Sequence, residues 1–151
     1  MKNFKLAVSF IVLTIMLLGV NQAFAGGVGY IDYQRIQDSY PLAQQAIKEV
    51  DAKALEIQQF MVDKEKQYKA LDTPLKKQNF EDATAKELDA KQSAYLQLKT
   101  QKGEMIFNNI QSAAKKVMIE QGLDTILIDR VIFVGGVDVT DQVITKLKSG
   151  N

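Results

Sequence analysis

Residues 36–71 read IQDSYPLAQQAIKEVDAKALEIQQFMVDKEKQYKAL, and the spacing of their apolar side chains decides the fold of this chain. Eleven positions spaced alternately four and three residues apart carry ten apolar or aromatic side chains. We call these positions the seam: Ile36, Tyr40, Ala43, Ile47, Val50, Ala54, Ile57, Met61, Lys64, Tyr68 and Leu71. Such spacing, sustained over many turns, is typical of a coiled coil and not of a globular helix face. The stretch therefore predicts a long helix that pairs with another helix.

A second helical segment follows and ends at Gln121-Gly122, where glycine suits the left-handed residue after a helix. Leu88, Tyr95, Ile106, Ile110, Ala113 and Val117 keep an approximate register, whereas Gln92, Lys99 and Lys102 interrupt it. Asp72-Thr73-Pro74 separates the two helices, because proline suits a first helical turn. We predict that residues 36–121 form an antiparallel coiled-coil hairpin arm, roughly 60 Å long at 1.5 Å per residue, with its tip near residues 73–82.

Gly103 stands inside the second helix, where glycine costs about 1 kcal/mol relative to alanine. If the two helices pair about residue 78, Gly103 falls opposite Ala54. Two small residues there predict a close approach of the helix backbones. A bend in the arm is the alternative.

Strand-like runs flank the arm at both ends of the chain. Residues 28–33 (VGYIDY), 125–129 (TILID) and 131–134 (VIFV) are rich in β-branched and aromatic residues, and Gly135-Gly136 ends the last run. A closing helix follows, with Asp138 or Thr140 as its N-cap. Val143, Ile144 and Leu147 form the inner stripe of that helix.

These strands are too few and too short to close a sheet within one chain, and open sheet edges invite pairing with another chain. We therefore predict an α+β fold, in which residues 26–35 and 122–151 of several subunits combine into a small strand-rich oligomerisation body. The helical arms project from that body. The residues expected to build it are Val28, Tyr30, Ile31, Ile126, Ile128, Ile132 and Val134. The alternative is a monomeric helical hairpin with a small sheet cap.

The first 25 residues have the three-part pattern of a secretory signal peptide. Lys2 and Lys5 precede an apolar run over residues 6–20, and Ala23-Phe24-Ala25 places small residues at alternate positions. The apolar run is shorter than the roughly 20 residues that a helix needs to cross a bilayer. We predict cleavage after Ala25 and export, and the alternative is an uncleaved membrane anchor.

The composition excludes several classes of function. The chain has no Cys and no His, so it offers no thiolate or imidazole catalysis and no Cys/His zinc site. Its net charge of +1 lacks the basic excess of a general nucleic-acid binder. The sequence contains neither a calcium-binding loop nor a Walker A motif. We therefore expect no enzyme activity, no cofactor, no metal site and no nucleic-acid partner, so any action on a partner is powered by binding alone.

Aromatic and methionine residues on the arm are too numerous for one seam. The set comprises Phe60, Met61, Tyr68, Phe80, Tyr95, Met105 and Phe107. Apolar side chains off the seam would offer adaptable contacts to an unfolded chain, unless they pack between the helices or at the edge of the body. Lysines cluster toward the predicted tip at Lys64, Lys66, Lys69, Lys76 and Lys77. They either steer acidic clients or anionic lipid headgroups to the arm, or only keep the helix soluble.

Three segments together resemble one known family. They are residues 28–36 (VGYIDYQRI) followed by Tyr40-Pro41, residues 121–129 (QGLDTILID), and residues 138–144 (DVTDQVI) followed by Leu147. They resemble the Skp/OmpH family of periplasmic chaperones, over essentially the whole chain after residue 25. The resemblance implies a homotrimer with a small β-barrel body and three long helical arms around a cavity. It further implies an ATP-independent holdase that shields unfolded outer-membrane β-barrel proteins as they cross the periplasm.

A coiled-coil spacer of the cell envelope is the competing interpretation. Such a spacer should have a continuous, well-filled seam. The interrupted register of the second helix favours the holdase.

Overall fold

The computed structural model describes residues 26–150 of the chain. The predicted signal peptide, residues 1–25, lies outside the described residues. The elements are, in order, β1 (Gly27–Ile31), α1 (Tyr33–Ser39), α2 (Pro41–Lys69), α3 (Pro74–Glu120), β2 (Leu123–Ile128), a 3-10 turn (Asp129–Val131), β3 (Val137–Asp138) and α4 (Thr140–Ser149). The fold is α+β, as predicted, with long helices and one small sheet.

The first helical segment begins before residue 36 and is interrupted once. The Asp32 carboxylate accepts a hydrogen bond from the Arg35 backbone N–H at 2.8 Å and so caps α1. Tyr40 then has an extended backbone, with φ −95° and ψ 111°, which is the conformation that a following proline imposes. Pro41 opens α2. The predicted seam therefore runs along two consecutive helices.

The arm is an antiparallel pair of helices, α2 and α3. Two ion pairs join them, Lys64 Nζ to Glu87 Oε2 at 2.8 Å and Lys102 Nζ to Glu49 Oε2 at 2.5 Å. The turn between the helices occupies residues 70–73, so most of residues 73–82, where the tip was predicted, is helical. α3 begins there because Pro74 fits a first helical turn and the Thr73 hydroxyl accepts a hydrogen bond from the Lys76 N–H.

β1 is the central strand of a three-stranded parallel sheet with the order β2-β1-β3. Gly29 on β1 lies opposite Ile126 on β2 and Val137 on β3. A Cβ atom at Gly29 would come within 2.7 Å of the Leu123 side chain, so glycine allows the sheet to pack closely. Within residues 26–150, no strand pairs with the outer edge of β2 or of β3.

The prediction of a strand over residues 131–134 is wrong for the single chain. The chain forms a 3-10 turn, closed by a hydrogen bond from the Ile132 N–H to the Asp129 carbonyl at 3.0 Å. Gly135 and Gly136 have positive φ values of 85° and 87° and turn the chain into β3. Since β2 and β3 run parallel on opposite sides of β1, the residues between them must cross the sheet and cannot pair along it.

The core lies where the sheet, α4 and the base of the arm meet. Its buried residues are Ile31, Ile36, Tyr40, Ala43, Ala46, Ile106, Ile110, Ala113, Val117, Val139, Val143 and Ile144. Val143 and Ile144 are buried and Leu147 packs against the cluster, as predicted for the inner stripe of the closing helix. Val139 holds the N-cap position of α4, but the Asp138 carboxylate accepts a hydrogen bond from the Thr140 N–H at 2.9 Å. One small core therefore anchors a much longer arm.

Candidate functional site

The seam of the arm is fully buried only near the body, and most of its further residues are half-buried: Val50, Ala54, Ile57, Lys64, Tyr68 and Leu71. Ile36, Tyr40 and Ala43 are buried, whereas Ile47 and Met61, further along the same seam, are 44% and 45% exposed. Two helices alone bury one narrow stripe each, and the body covers only the first turns. Beyond the core the seam is therefore only partly covered, and some of its apolar side chains stay accessible to solvent.

Toward the tip, lysine side chains cover aromatic rings. The Lys64 Nζ lies 5.1 Å from the centre of the Phe60 ring and 5.4 Å from that of Phe80. Its side chain is only 18% exposed and forms the ion pair with Glu87. Lys91 Nζ lies 5.1 Å from the Phe60 ring. Ammonium groups at this range are attracted to the faces of aromatic rings. Lys64 can therefore occupy a seam position, because its ammonium group pairs with Glu87 and lies near the Phe60 and Phe80 rings.

Tyr68 joins this group of residues on the neighbouring turn. Its ring centre lies 6.3 Å from that of Phe80, at a 45° angle between the planes, and Lys77 Nζ lies 5.3 Å from the Tyr68 ring. The hydrogen bond with the Glu81 side chain, together with partial burial, raises the pKa of the Tyr68 hydroxyl. We call Phe60, Lys64, Tyr68 and Phe80 the tip cluster.

The seven arm residues predicted to bind a client do not form one surface. Phe60, Tyr68 and Phe80 belong to the tip cluster, and the Tyr95 ring has Lys99 Nζ at 6.0 Å. Met105 is half-buried against the core. Only Met61 and Phe107 are openly exposed. Contact of any of these residues with a client stays a prediction.

Other exposed apolar residues of the arm escaped the sequence analysis. They are Leu55, Val62, Leu75, Leu96 and, at the base of the arm, Ile119. At 3.6 residues per turn, Leu55 and Val62 lie on one side of the seam and Phe60 on the other. By the same rotation, Leu96, Gly103 and Phe107 lie on the Leu55 side, and Phe80 and Lys91 lie opposite. The arm therefore has an apolar flank and a lysine-covered flank. The seven-residue spacing of Leu55 and Val62 was the available signal.

The lysines of the tip are mostly neutralised locally. Three of them pair within one helical turn or across the turn of the hairpin: Lys69 with Glu65 at 2.5 Å, Lys76 with Asp72 at 2.9 Å and Lys66 with Asp63 at 4.0 Å. These hydrogen-bonded partners lower the pKa of the Glu65 and Asp72 carboxyls. Four of the five clustered lysines therefore have an acidic partner, since Lys64 pairs with Glu87. Contact with anionic lipids stays a prediction.

The predicted body residues divide into a core group and an exposed group. Ile31 is buried and Ile126 packs against the core, while Tyr30 and Ile132 are half-buried. Val28, Ile128 and Val134 are exposed. The same part of the chain has four further exposed apolar residues, which sequence reasoning did not single out: Leu127, Val131, Phe133 and Val137. We call these seven exposed residues the body patch. Phe133 has no cover at all, at 102% exposure.

Within residues 26–150, no helix is both long enough and apolar enough to cross a membrane. The same residues contain no group of three acidic side chains placed to hold a metal ion.

Comparison with known proteins relates the chain to one family. The model of the family described as outer membrane protein (OmpH-like) matches residues 27–147. A crystal structure from Caulobacter crescentus, of a protein described as an OmpH-like outer membrane chaperone, is 14% identical, with a TM-score of 0.39. That match covers 88% of this chain and 90% of the other. Among curated proteins, none matches the chain significantly.

Proposed function

Because the chain belongs to the OmpH-like family of outer membrane proteins, we propose that it is an ATP-independent holdase chaperone of the periplasm. It binds unfolded outer-membrane β-barrel proteins in a cavity between the arms of a homotrimer and prevents their aggregation in transit. It is exported by a signal peptide that is cleaved after Ala25, and it acts without catalysis. The observation that carries this proposal is the long arm whose apolar side chains remain exposed beyond a small core.

The body patch supports a trimer. Its residues lie on the strands of the sheet and on the segment between β2 and β3, and the two outer strands of this sheet have unpaired edges within the described chain. Unpaired edges with apolar neighbours favour pairing between chains. Residues 131–134 also have the composition of a strand and find no partner in the single chain. We propose that neighbouring subunits cover the body patch and pair with these edges.

The apolar flank supports a holding role. Leu55 and Leu96 lie at the same level of the arm on this flank, because the two ion pairs between the helices set residue 55 opposite residue 96, and Val62 lies two turns nearer the tip. A client held in this way is bound by many weak contacts on several arms, so affinity arises from avidity. Release needs no nucleotide, because a client that folds buries the side chains that the arms contact.

An aggregation assay tests the proposal. A urea-unfolded outer-membrane porin is diluted into buffer with an equimolar amount of the trimer of residues 26–151, and light scattering is followed. We expect scattering to be suppressed without ATP. Unchanged scattering would overturn the holdase and favour the envelope spacer.

A matched pair of variants locates the activity. Changing Leu55, Val62 and Leu96 together to serine should weaken protection and leave folding intact, since all three are exposed. Changing Gln58, Gln67 and Gln97 to serine is the control, because these exposed residues lie on the same helices. Equal loss of protection in both variants would show that the apolar flank does not hold the client.

A further inference from the structure

A groove between α2 and α3 opens beside Gly103, near the base of the arm. Its volume is about 220 Å³. Ala43, Ile47, Val50, Gly103 and Ile106 give it apolar walls. Its charged residues are Asp51, Lys99 and Lys102, of which Lys102 is paired with Glu49. It lies on the apolar flank of the arm, where Ile47 is substantially exposed.

The register of the arm places Gly103 at this groove. The ion pair between Lys102 and Glu49 sets residue 103 opposite residues 47–50. The sequence prediction that Gly103 lies opposite Ala54 is therefore wrong, because the ion pairs Lys102–Glu49 and Lys64–Glu87 centre the pairing of the two helices between residues 75 and 76 and not near residue 78.

Nothing in the described chain requires glycine at position 103. A Cβ atom there would have no atom within 4 Å, the helix's own backbone aside, so the backbones do not pack closely at this point. Gly103 is also not among the glycines with positive φ. Glycine inside a helix still costs about 1 kcal/mol relative to alanine. The absence of a side chain at Gly103 leaves the groove open. An open groove offsets the cost of glycine only if a ligand binds in it.

The size and charge of the groove indicate what enters. An apolar cavity of about 150 Å³ admits a benzene molecule, so a groove of about 220 Å³ has room for an aromatic side chain. Lys99 already lies near the Tyr95 ring, and an ammonium group is attracted to the electron-rich face of a ring. An aliphatic guest would gain burial alone, whereas an aromatic guest would also gain this attraction.

We propose that the groove beside Gly103 is a subsite for one aromatic side chain of an extended, unfolded polypeptide. The proposal rests on the holdase function and names the chemistry that one part of the arm recognises. A folded protein buries its aromatic side chains, so this subsite distinguishes unfolded from folded clients.

Peptide titration of the full mature protein tests the subsite. The ¹⁵N-labelled chain is titrated with a soluble nine-residue peptide of Gly, Ser and Lys that carries one central Phe, and with matched peptides carrying Leu or Ser. We expect the Phe peptide to shift the amide resonances of Gly103 and Ile47 most, the Leu peptide less and the Ser peptide not at all.

The variant Gly103→Leu fills the groove with its own side chain. It should weaken binding of the Phe peptide by about tenfold, the scale of losing one apolar side chain from its pocket. Its thermal stability should be retained or raised, because leucine is the better helix former. Ala90→Leu is the control, since it adds the same side chain at an exposed position of α3 away from the groove.

Three results would overturn the subsite. One is equal affinity of the wild type and Gly103→Leu for the Phe peptide. Another is a change in oligomeric mass in Gly103→Leu, which would show that a second copy of the chain fills the groove. The third is an altered spin-label distance between the helices with unchanged peptide affinity, which would assign Gly103 to bending of the arm. The porin assay tests the holdase function with the wild-type protein alone. Failure of the subsite in the peptide experiments is therefore distinct from failure of the holdase function.

Discussion

Lys64 is the one charged residue on the seam of the first helical segment, and its surroundings explain how the arm tolerates it. The Phe60 and Phe80 rings lie about its ammonium group, and Glu87 on α3 pairs with it. Sequence spacing predicted the position of Lys64 on the seam but not its contacts with Phe80 and Glu87, because those two residues come from the opposite helix. The same contacts cover two aromatic rings that the sequence assigned to client binding.

The pairing of Lys64 with Glu87 should be measurable in a double-mutant cycle. Lys64→Met and Glu87→Gln, alone and together, should give a coupling free energy of about 1 kcal/mol in urea unfolding, because the lysine is largely shielded from water. Lys69 with Glu65 is the control pair, since both of its side chains are mostly exposed. Its coupling should be indistinguishable from zero. Equal coupling free energies in the two cycles would show that shielding of Lys64 from water does not strengthen its ion pair.

Asp138 should contribute stability that depends on pH. Hydrogen bonds from the Thr140 side chain and backbone lower the pKa of its carboxyl below the ordinary value of 3.8. A carboxyl whose pKa is lower in the folded state than in the unfolded state stabilises the fold. This stabilisation is complete at pH above the unfolded-state pKa, and it is lost as the pH falls through the folded-state pKa. The wild type should therefore exceed Asp138→Asn in urea midpoint at pH 7, and the difference should shrink between about pH 4 and pH 2. A constant difference would exclude this contribution.

At the scale of elements, local signals were reliable where a side chain acts within its own turn. Pro74 opens a helix where the sequence predicted it, and Pro41 opens another within a stretch predicted as one helix; Asp32 and Thr73 cap the helices that follow them. Such caps satisfy backbone N–H groups that no helical carbonyl reaches. The strand over residues 131–134 failed because a strand, unlike a helix, requires a partner from elsewhere in the fold.

The Asp32 side chain that caps α1 should contribute measurably to the free energy of unfolding. Asp32→Ala should lower the free energy of unfolding by about 1 kcal/mol, because the Arg35 N–H loses its acceptor. Asp32→Asn should cost much less, since asparagine also caps well. Chemical denaturation followed by circular dichroism compares the two variants. Equal losses would show that charge, and not the hydrogen bond, makes this contribution.

At the scale of the whole molecule, an arm of two helices projects from a core too small to cover it. α3 alone has 47 residues, about 70 Å at 1.5 Å per residue. The exposed apolar residues fall into two groups, those of the arm and those of the body patch. The proposed trimer would bury the second group and leave the first free for clients.

The variant Phe133→Glu should show that the body patch, and not the arm, forms the subunit interface. Because Phe133 is fully exposed in the single chain, the variant should fold, yet it places a charge in the proposed subunit interface, where an unpaired charge is costly. We expect light scattering to show loss of the trimer, with helical circular dichroism retained. Leu96→Glu on the arm is the control and should remain trimeric. A trimer that persists in Phe133→Glu would exclude the body patch as the interface.

The sequence by itself determined the helical arm, its boundary at Pro74 and the apolar stripe of the closing helix. Each of these depends on spacing or capping within a few residues. Only the tertiary structure decided the register of the hairpin, which lies with Gly103 opposite residues 47–50 and not Ala54. It also decided that lysines cover Phe60 and Phe80 while Leu55 and Leu96 stay bare. The physical reason is that periodicity specifies which face of a helix is apolar, whereas register and cover depend on where a distant segment packs against that face.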